Sequence, residues 1–192
     1  NAAKSTSTPS RVTIQNNFAP VSGAPGPLDF GYDAWSFEPW AATANQGLTT
    51  QQVLAIRCPV PKTFSLTQVW YPLAVVGATF TYARVGVYDS AGTTLLATSD
   101  DQTSNWSSGL VAKAATFTAT TIPGGPGASV WVAFLAVATT PPTFLRQVAG
   151  SGPYATMVNN GTMRAGTMNS QTSLPAALSL TAGAGLLWVG LT

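Results

Sequence analysis

The sequence predicts an all-β fold: an antiparallel, jelly-roll-like β-sandwich of about eight strands with an extended N-terminal arm. Three observations predict it. Short runs of alternating apolar and polar residues recur roughly every ten residues, and clusters of Gly and Pro separate them. No segment carries the i, i+3, i+4 apolar stripe and the caps of an amphipathic helix. With 192 residues, of which 45% are hydrophobic, the chain can bury a sizeable core.

The first part of the chain, residues 1–31, is predicted to be an extended arm or linker. It begins with a Ser/Thr-rich stretch, contains one short strand candidate at Arg11–Gln15, and continues into the proline-rich stretch Ala19–Pro27. Proline has no N–H to donate to a β-ladder. The arm could lie on a neighbouring molecule or be disordered. The sandwich domain is predicted to span residues 32–192.

The clearest local signal is a β-hairpin at Ala83–Ser99. Val85 and Val87 alternate with polar or small residues, and Asp89–Gly92 supplies a turn that ends in glycine. The Asp89 side chain is expected to stabilise that turn. The predicted strands are Gln51–Cys58, Thr63–Tyr71, Phe80–Tyr88, Thr93–Thr98, Leu110–Thr118, Ser129–Ala138, Phe144–Val148 and Gly185–Thr192. The run Ser129–Val137 is nearly all apolar, so a central strand is predicted there.

The stretch between Ala149 and Ala184 shows no clear alternation. Long segments without regular structure are usually functional, ordered by a partner, or composed of weak strands. We therefore predict an interaction loop here, centred on Gly150–Met168.

Composition limits the function classes. Charged residues make up only 7% of the chain, against roughly a quarter in average soluble domains. Such a surface suits a protein packed into an assembly or held outside the cell. The eight basic residues are scattered singly, so no nucleic-acid partner is expected. No apolar run approaches the roughly 20 residues needed to span a bilayer, so no membrane insertion is expected.

The inventory of reactive side chains predicts a protein that is not an enzyme and has no cofactor, catalytic residue or metal site. There is no histidine, and there are only six carboxylates, among which Asp33 and Glu38 form the nearest candidate pair. Asp100 and Asp101 are interpreted as a solvated turn, with calcium binding as the alternative. The single cysteine, Cys58, is expected to be a buried thiol.

Four residues are candidate ligand contacts. Trp106 stands in a polar segment, where an aromatic ring can stack on a sugar or can fold back onto the sandwich. Tyr154, Asn159 and Arg164 belong to the predicted interaction loop. Trp35 and Trp40, at the entry to the domain, are interpreted either as caps on the core or as subunit contacts.

Four segments carry a resemblance to a known class of proteins. They are Tyr32–Trp40, Arg84–Gly92, Val130–Phe134 and Leu187–Gly190. Together they resemble the β-sandwich domains of minor tail proteins and tail fibres in tailed bacteriophages, and the Ala/Thr/Gly/Pro bias is similar to that of phages of actinobacteria. The resemblance implies a homotrimeric virion component on the surface of the phage particle, which contacts other virion proteins and the host. No binding residue carries over position by position.

The predicted function is therefore structural and adhesive. The chain is expected to belong to a phage tail tip or fibre that adsorbs to a cell-surface glycan or envelope polymer. Two alternatives remain open at this point: a secreted carbohydrate-binding module, and a capsid decoration protein on the phage head.

Overall fold

The computed structural model describes residues 26–109, 111–148, 163–182 and 185–192. Two antiparallel sheets pack face to face, which confirms the predicted β-sandwich. The strands of this part of the chain are β1 Ala34–Trp35, β2 Ala42–Gly47, β3 Gln52–Pro59, β4 Phe64–Val75, β5 Ala78–Tyr88, β6 Leu95–Thr98, β7 Ala112–Ile122, β8 Ser129–Thr140, β9 Thr143–Gln147, β10 Ala165–Met168, β11 Thr181–Ala182 and β12 Gly190–Leu191. Short 3-10 helices form at Pro27–Phe30 and Pro39–Ala41, and one α-helical turn forms at Thr103–Trp106.

The two sheets have different strand orders. Sheet 1 runs β1-β12-β4-β9-β2, and β7 also pairs with β4. Sheet 2 runs β11-β10-β3-β8-β5-β6, so β8 is central, as its apolar sequence predicts. The hairpin of β5 and β6 has a register shift beside its turn. Asp89 accepts hydrogen bonds from the Thr93 N–H at 2.7 Å and from the Thr93 hydroxyl at 2.8 Å, which confirms its turn role.

The space between the sheets is filled by a large apolar core with an aromatic centre. The Tyr71 ring lies 5.4 Å from both Phe134 and Phe144, edge to face in each case. Trp106 is fully buried beside them. Cys58 also belongs to this core, as predicted, and burial raises the pKa of its thiol. Edge-to-face packing of this kind adds to the stabilisation from area burial.

Polar atoms inside this aromatic centre form hydrogen bonds with one another. Trp106 Nε1 donates to the Tyr71 hydroxyl at 2.9 Å, and that hydroxyl donates to Gln102 Oε1 at 2.8 Å. Asn105 Nδ2 donates to the same Gln102 oxygen at 2.9 Å. A buried polar group without a partner costs free energy, so this chain of bonds lets polar side chains lie between the sheets.

A second apolar cluster covers the outer face of sheet 2. Trp131, Ala133 and Leu135 of β8 point away from the first core and pack under the segment that contains β10 and β11. Leu174, Leu178 and Leu180 lie over them. Backbone bonds fix this cover, among them Leu178 N to Gly92 O at 2.7 Å.

The structure corrects part of the predicted interaction loop. Residues 165–168 and 181–182 form short strands that extend sheet 2, and residues 174–180 between them pack over its outer face. Met163 and Met168 pack against that second cluster. Residues 149–162, the rest of the predicted loop, lie outside the described residues.

Several strands differ from the predicted ones. β1, β2, β10 and β11 were not predicted, because each is short or mostly polar. β4 continues through Pro72 to Val75, since pairing with β7 ends at Pro72 and pairing with β9 follows. Within the predicted arm, residues 27–30 form a 3-10 helix, and residues 1–25 lie outside the described residues. The domain boundary at residue 31 therefore stays a prediction.

We expect Tyr71→Phe to lower the free energy of unfolding by about 1–3 kcal/mol, because it leaves Trp106 Nε1 without its acceptor in a buried site. Denaturant titration would measure the loss. Tyr32→Phe is the matched control, since the Tyr32 hydroxyl makes no hydrogen bond to another described residue, and it should change stability by less than about 0.5 kcal/mol. Equal effects of the two substitutions would contradict the role given to the buried hydroxyl.

The buried Tyr71 phenol should also make the protein less stable at alkaline pH. Burial raises the pKa of Tyr71, although its hydrogen bonds to neighbouring side chains oppose the shift. Above pH 10 an unfolded chain loses the phenol proton while the folded chain keeps it, so the free energy of unfolding falls as pH rises. Denaturation between pH 9 and 11 should show a shallower decline for Tyr71→Phe than for the wild type. An unchanged slope would argue against the buried phenol as a contributor.

Candidate functional site

A groove lies where two loops meet at the end of β3 and the start of β8, which are neighbouring strands of sheet 2. The loop between β3 and β4 forms one wall with Pro59, Val60 and Pro61, and residues 125–129 between β7 and β8 form the other. Arg57 and Arg164 complete the lining. The groove has a volume of about 580 Å³, within the range that takes small organic ligands.

Hydrogen bonds join the two loops to each other. The Val60 N–H donates to Ala128 O at 3.0 Å, and the Gly125 N–H donates to Val60 O at 3.0 Å. Across the same junction, the Gly124 N–H donates to Thr63 Oγ1 at 3.1 Å. The walls of the groove therefore form one connected unit.

Glycine and proline explain why the chain can take this shape. A side chain on Gly124 would collide with the backbone of Lys62, so only glycine fits there. Gly125 and Gly127 have φ of 150° and 78°, values that residues other than glycine rarely adopt. Proline limits the freedom of both loops by fixing φ. The sequence around Pro123–Gly127 thus builds a stiff wall.

Arg57 is held in place from three directions. Its Nε donates to Ser129 Oγ at 2.8 Å, and its guanidinium carbon lies 5.8 Å from the centre of the Trp131 ring. Its backbone N–H donates to Arg164 O at 2.8 Å, which ties β3 to the start of β10. A cation over an aromatic face is attracted to it and oriented by it.

Arg164 is half-buried and anchored to the other sheet. Its Nη2 donates to the Ser36 carbonyl oxygen at 2.7 Å. Burial lowers the pKa of the guanidinium, while the Cys58 thiol and the Glu38 carboxylate oppose the shift. Arginine remains charged at neutral pH even with such a shift. The site therefore presents a second fixed cation.

The groove contains no acidic side chain among its lining residues. Within the described part of the chain, neither Arg57 nor Arg164 has a carboxylate oxygen within 4.0 Å. In that part of the chain, Lys62 Nζ forms an ion pair with Asp33 Oδ1 at 2.9 Å. Two oriented guanidinium groups without a carboxylate partner favour anionic oxygen atoms as ligands.

The four predicted ligand contacts have different outcomes. Arg164 lines the groove, as just described. The proposed ligand role of Trp106 is corrected: its side chain is 0% exposed and its N–H is bound to Tyr71, so it cannot stack on a sugar and instead folds back into the core. Tyr154 and Asn159 lie outside the described residues.

Arg57 and Ser129 were not predicted as site residues. In the sequence, Arg57 is one of eight scattered basic residues, and Ser129 begins a predicted strand. The usable signal was the cluster of glycines and prolines at residues 122–127, because such stiff loops often border binding sites. Nothing local in the sequence indicates that Arg57 and Arg164 become neighbours.

The acidic candidates are dispersed. Asp33 pairs with Lys62, and Glu38 is exposed. Asp101 Oδ1 accepts a hydrogen bond from Thr103 Oγ1 at 3.2 Å, consistent with a turn. In the ranges that the structure describes, no three His, Cys, Asp or Glu side chains come together as a metal site would require. Calcium binding by Asp100 and Asp101 stays an untested alternative.

A second surface feature is an exposed aromatic patch, formed by Phe30, Trp35 and Trp40. The Phe30 ring lies 5.7 Å from Trp35 and 6.3 Å from Trp40, and Trp35 and Trp40 meet edge to face at 6.4 Å. Phe30 is 51% exposed and Trp40 is 58% exposed, and Leu28 nearby in the chain is also exposed. Clustered aromatic rings at a surface are typical of interaction sites.

Comparisons with known proteins leave the family open. Neither the models of known protein families nor a search of curated proteins gives a match to this chain. Among the described residues, no helix is both long and apolar enough to span a membrane. The resemblance to phage tail proteins therefore stays a prediction.

We expect Gly124→Ala to loosen the groove. A Cβ at this position would push against the Lys62 carbonyl group, so the free energy of unfolding should fall by about 1–3 kcal/mol. Hydrogen exchange of the Val60 amide should become faster, because its bond to Ala128 closes the same junction. Gly47→Ala is the control, since its Cβ would lie 3.6 Å from Thr143 Oγ1, an ordinary contact. Unchanged exchange in Gly124→Ala would contradict the close packing of the loops.

Proposed function

We propose that this chain is a non-enzymatic structural protein of a phage tail tip or fibre, which adsorbs to a polymer of the host cell envelope. The observation that carries the proposal is the stiff groove at the ends of β3 and β8, lined by two oriented arginines and no acid. The low overall charge and the resemblance in sequence support the same role. The protein would act at the outer surface of the virion.

The groove is open, so one copy is expected to bind weakly. Adhesive virion proteins overcome weak single sites by presenting several copies on one particle, which raises the effective affinity without new contacts. A homotrimer, as the resemblance implies, would place three grooves on one axis. Contacts with other virion proteins would hold that trimer on the particle.

The aromatic patch supports self-association, and we propose a second copy of this chain as its partner. Phe30 and Trp40 would otherwise leave large apolar side chains in water. The chain has few charges with which to keep copies apart. Aromatic residues are enriched at protein interfaces, and these three lie close enough to be buried together.

The aromatic patch also favours a second candidate function, a monomeric secreted carbohydrate-binding module. Exposed rings can stack on sugar faces, and Trp40 offers such a ring. The two functions differ in oligomeric state and in the residues used. A monomer that binds neutral polysaccharide through Trp40 would favour the carbohydrate-binding module.

Sedimentation velocity at micromolar concentration tests the proposed oligomer. We expect the wild type to sediment as a trimer and Trp40→Ser to shift toward monomer, because the substitution removes the most exposed ring of the patch. Val111→Ser is the matched control: its side chain is 59% exposed but lies outside the patch, so the trimer should persist. A clean wild-type monomer would contradict the proposal.

Immunogold labelling tests the location. An antibody raised against the purified chain is applied to phage particles whose genome encodes the chain. It should label the end of the tail. Label on the capsid would favour the head-decoration alternative. Particles that carry no label would overturn the virion role.

A further inference from the structure

We infer that the groove binds a segment of an anionic polymer, one that carries phosphate or carboxylate groups, through Arg57 and Arg164. The inference rests on the proposed function and names the chemical class of its ligand. It places recognition in the groove and not in the aromatic patch.

Both arginines keep hydrogen-bond donors that no other described residue uses. A guanidinium group has five N–H bonds. In the described residues, the Arg57 side chain uses Nε on Ser129, and the Arg164 side chain uses Nη2 on the Ser36 carbonyl. Both anchors are neutral oxygens, so they orient the guanidinium groups without neutralising them. Donors therefore remain on two cations that line the same groove.

Both guanidinium groups are held in place by neighbouring residues before a ligand binds. Arg57 rests against Trp131 and is fixed by Ser129, and Arg164 is half-buried and fixed to Ser36. Long side chains normally lose conformational entropy when they grip a ligand, and anchoring beforehand reduces that loss. Burial of Arg164 also removes competing water, which strengthens its attraction to an anion.

The lining of the groove limits the shape and chemistry of its ligand. The volume of about 580 Å³ and the open form suit a short stretch of a chain. Pro59, Pro61 and Pro126 give the walls apolar carbon surface, which can contact the carbon skeleton of a sugar or polyol unit. An anionic group every unit or two would then meet the arginines. Guanidinium binds phosphate and carboxylate alike, in a two-pronged geometry.

Binding of the full chain to immobilised polymers tests the inference and separates the two sources of charge. The probes are poly(glycerol phosphate), which carries phosphates, polygalacturonate, which carries carboxylates, and neutral dextran. We expect binding to at least one anionic polymer and none to dextran, with affinity falling as NaCl rises from 50 to 200 mM. Binding to dextran alone, or to no probe, would overturn the inference.

Substitutions then show whether the groove is responsible. Arg57→Gln should weaken binding about tenfold, and the double variant with Arg164→Gln by more than about thirtyfold, in line with the loss of charged hydrogen bonds. Arg57→Lys keeps the charge but loses the fork, so its affinity should be intermediate. If the Arg164 variants fail to fold, Arg57→Gln alone decides, because the hydrogen bond to the Ser36 carbonyl belongs to Arg164 and is kept in that variant.

The control is Arg146→Gln on β9, where Nε donates to the Asn45 carbonyl oxygen, away from the groove lining. It removes the same charge and should change affinity by less than about twofold. An equal loss in Arg146→Gln and Arg57→Gln would indicate general electrostatic attraction and overturn the inference. A chain that labels phage tails but binds no anionic polymer also overturns it and leaves the proposed function standing. Anionic binding by a chain absent from the particles overturns the proposed function instead.

Discussion

The structure depends on one constraint: β8 is apolar on both of its faces. Seven successive residues, from Val130 to Ala136, are buried, with alternate side chains in the two apolar clusters. A sheet with such a strand at its centre cannot leave either face in water. Sheet 1 covers the inner face, and the segment between β10 and β11, with Leu174, Leu178 and Leu180, covers the outer one. The second cover is what distinguishes this fold from a simple two-layer sandwich.

The candidate site follows from that cover. The segment that covers the outer face begins with β10, which pairs with β3 in a register that sets Ala165 opposite Ile56. This register brings Arg164 beside Arg57 at the end of the strand, where the stiff loops already form a wall. A packing requirement thus assembles two cations that no local motif joins. The same segment that buries apolar surface also positions the groove.

Sequence reasoning succeeded where the signal is local. The hairpin of β5 and β6 is encoded by alternation and by the Asp89–Gly92 turn, and β8 by its unbroken apolar run. It failed where the deciding contact is distant. Trp106 has polar neighbours in the chain. Tyr71, on the distant strand β4, supplies the hydrogen-bond acceptor that lets the Trp106 side chain be buried. The sequence of β10 carries only a weak alternation of apolar and polar residues. The strand forms because it pairs with β3 and packs against the second apolar cluster. Arg57 and Arg164 become neighbours only through the register between β3 and β10. No single segment of the sequence specifies that register.

The pairing of β1 with β12 has a consequence for how the molecule folds. Ala34 lies opposite Leu191, and Ser36 donates to the Leu187 carbonyl and accepts from the Val189 N–H. Contacts between such distant positions require closure of a very long loop, which slows folding. The pairing of β1 in sheet 1 therefore forms only after the segment with residues 187–191 has been synthesised. Sheet 1 is thus held together by contacts of the long-range kind that make β-sandwiches fold slowly.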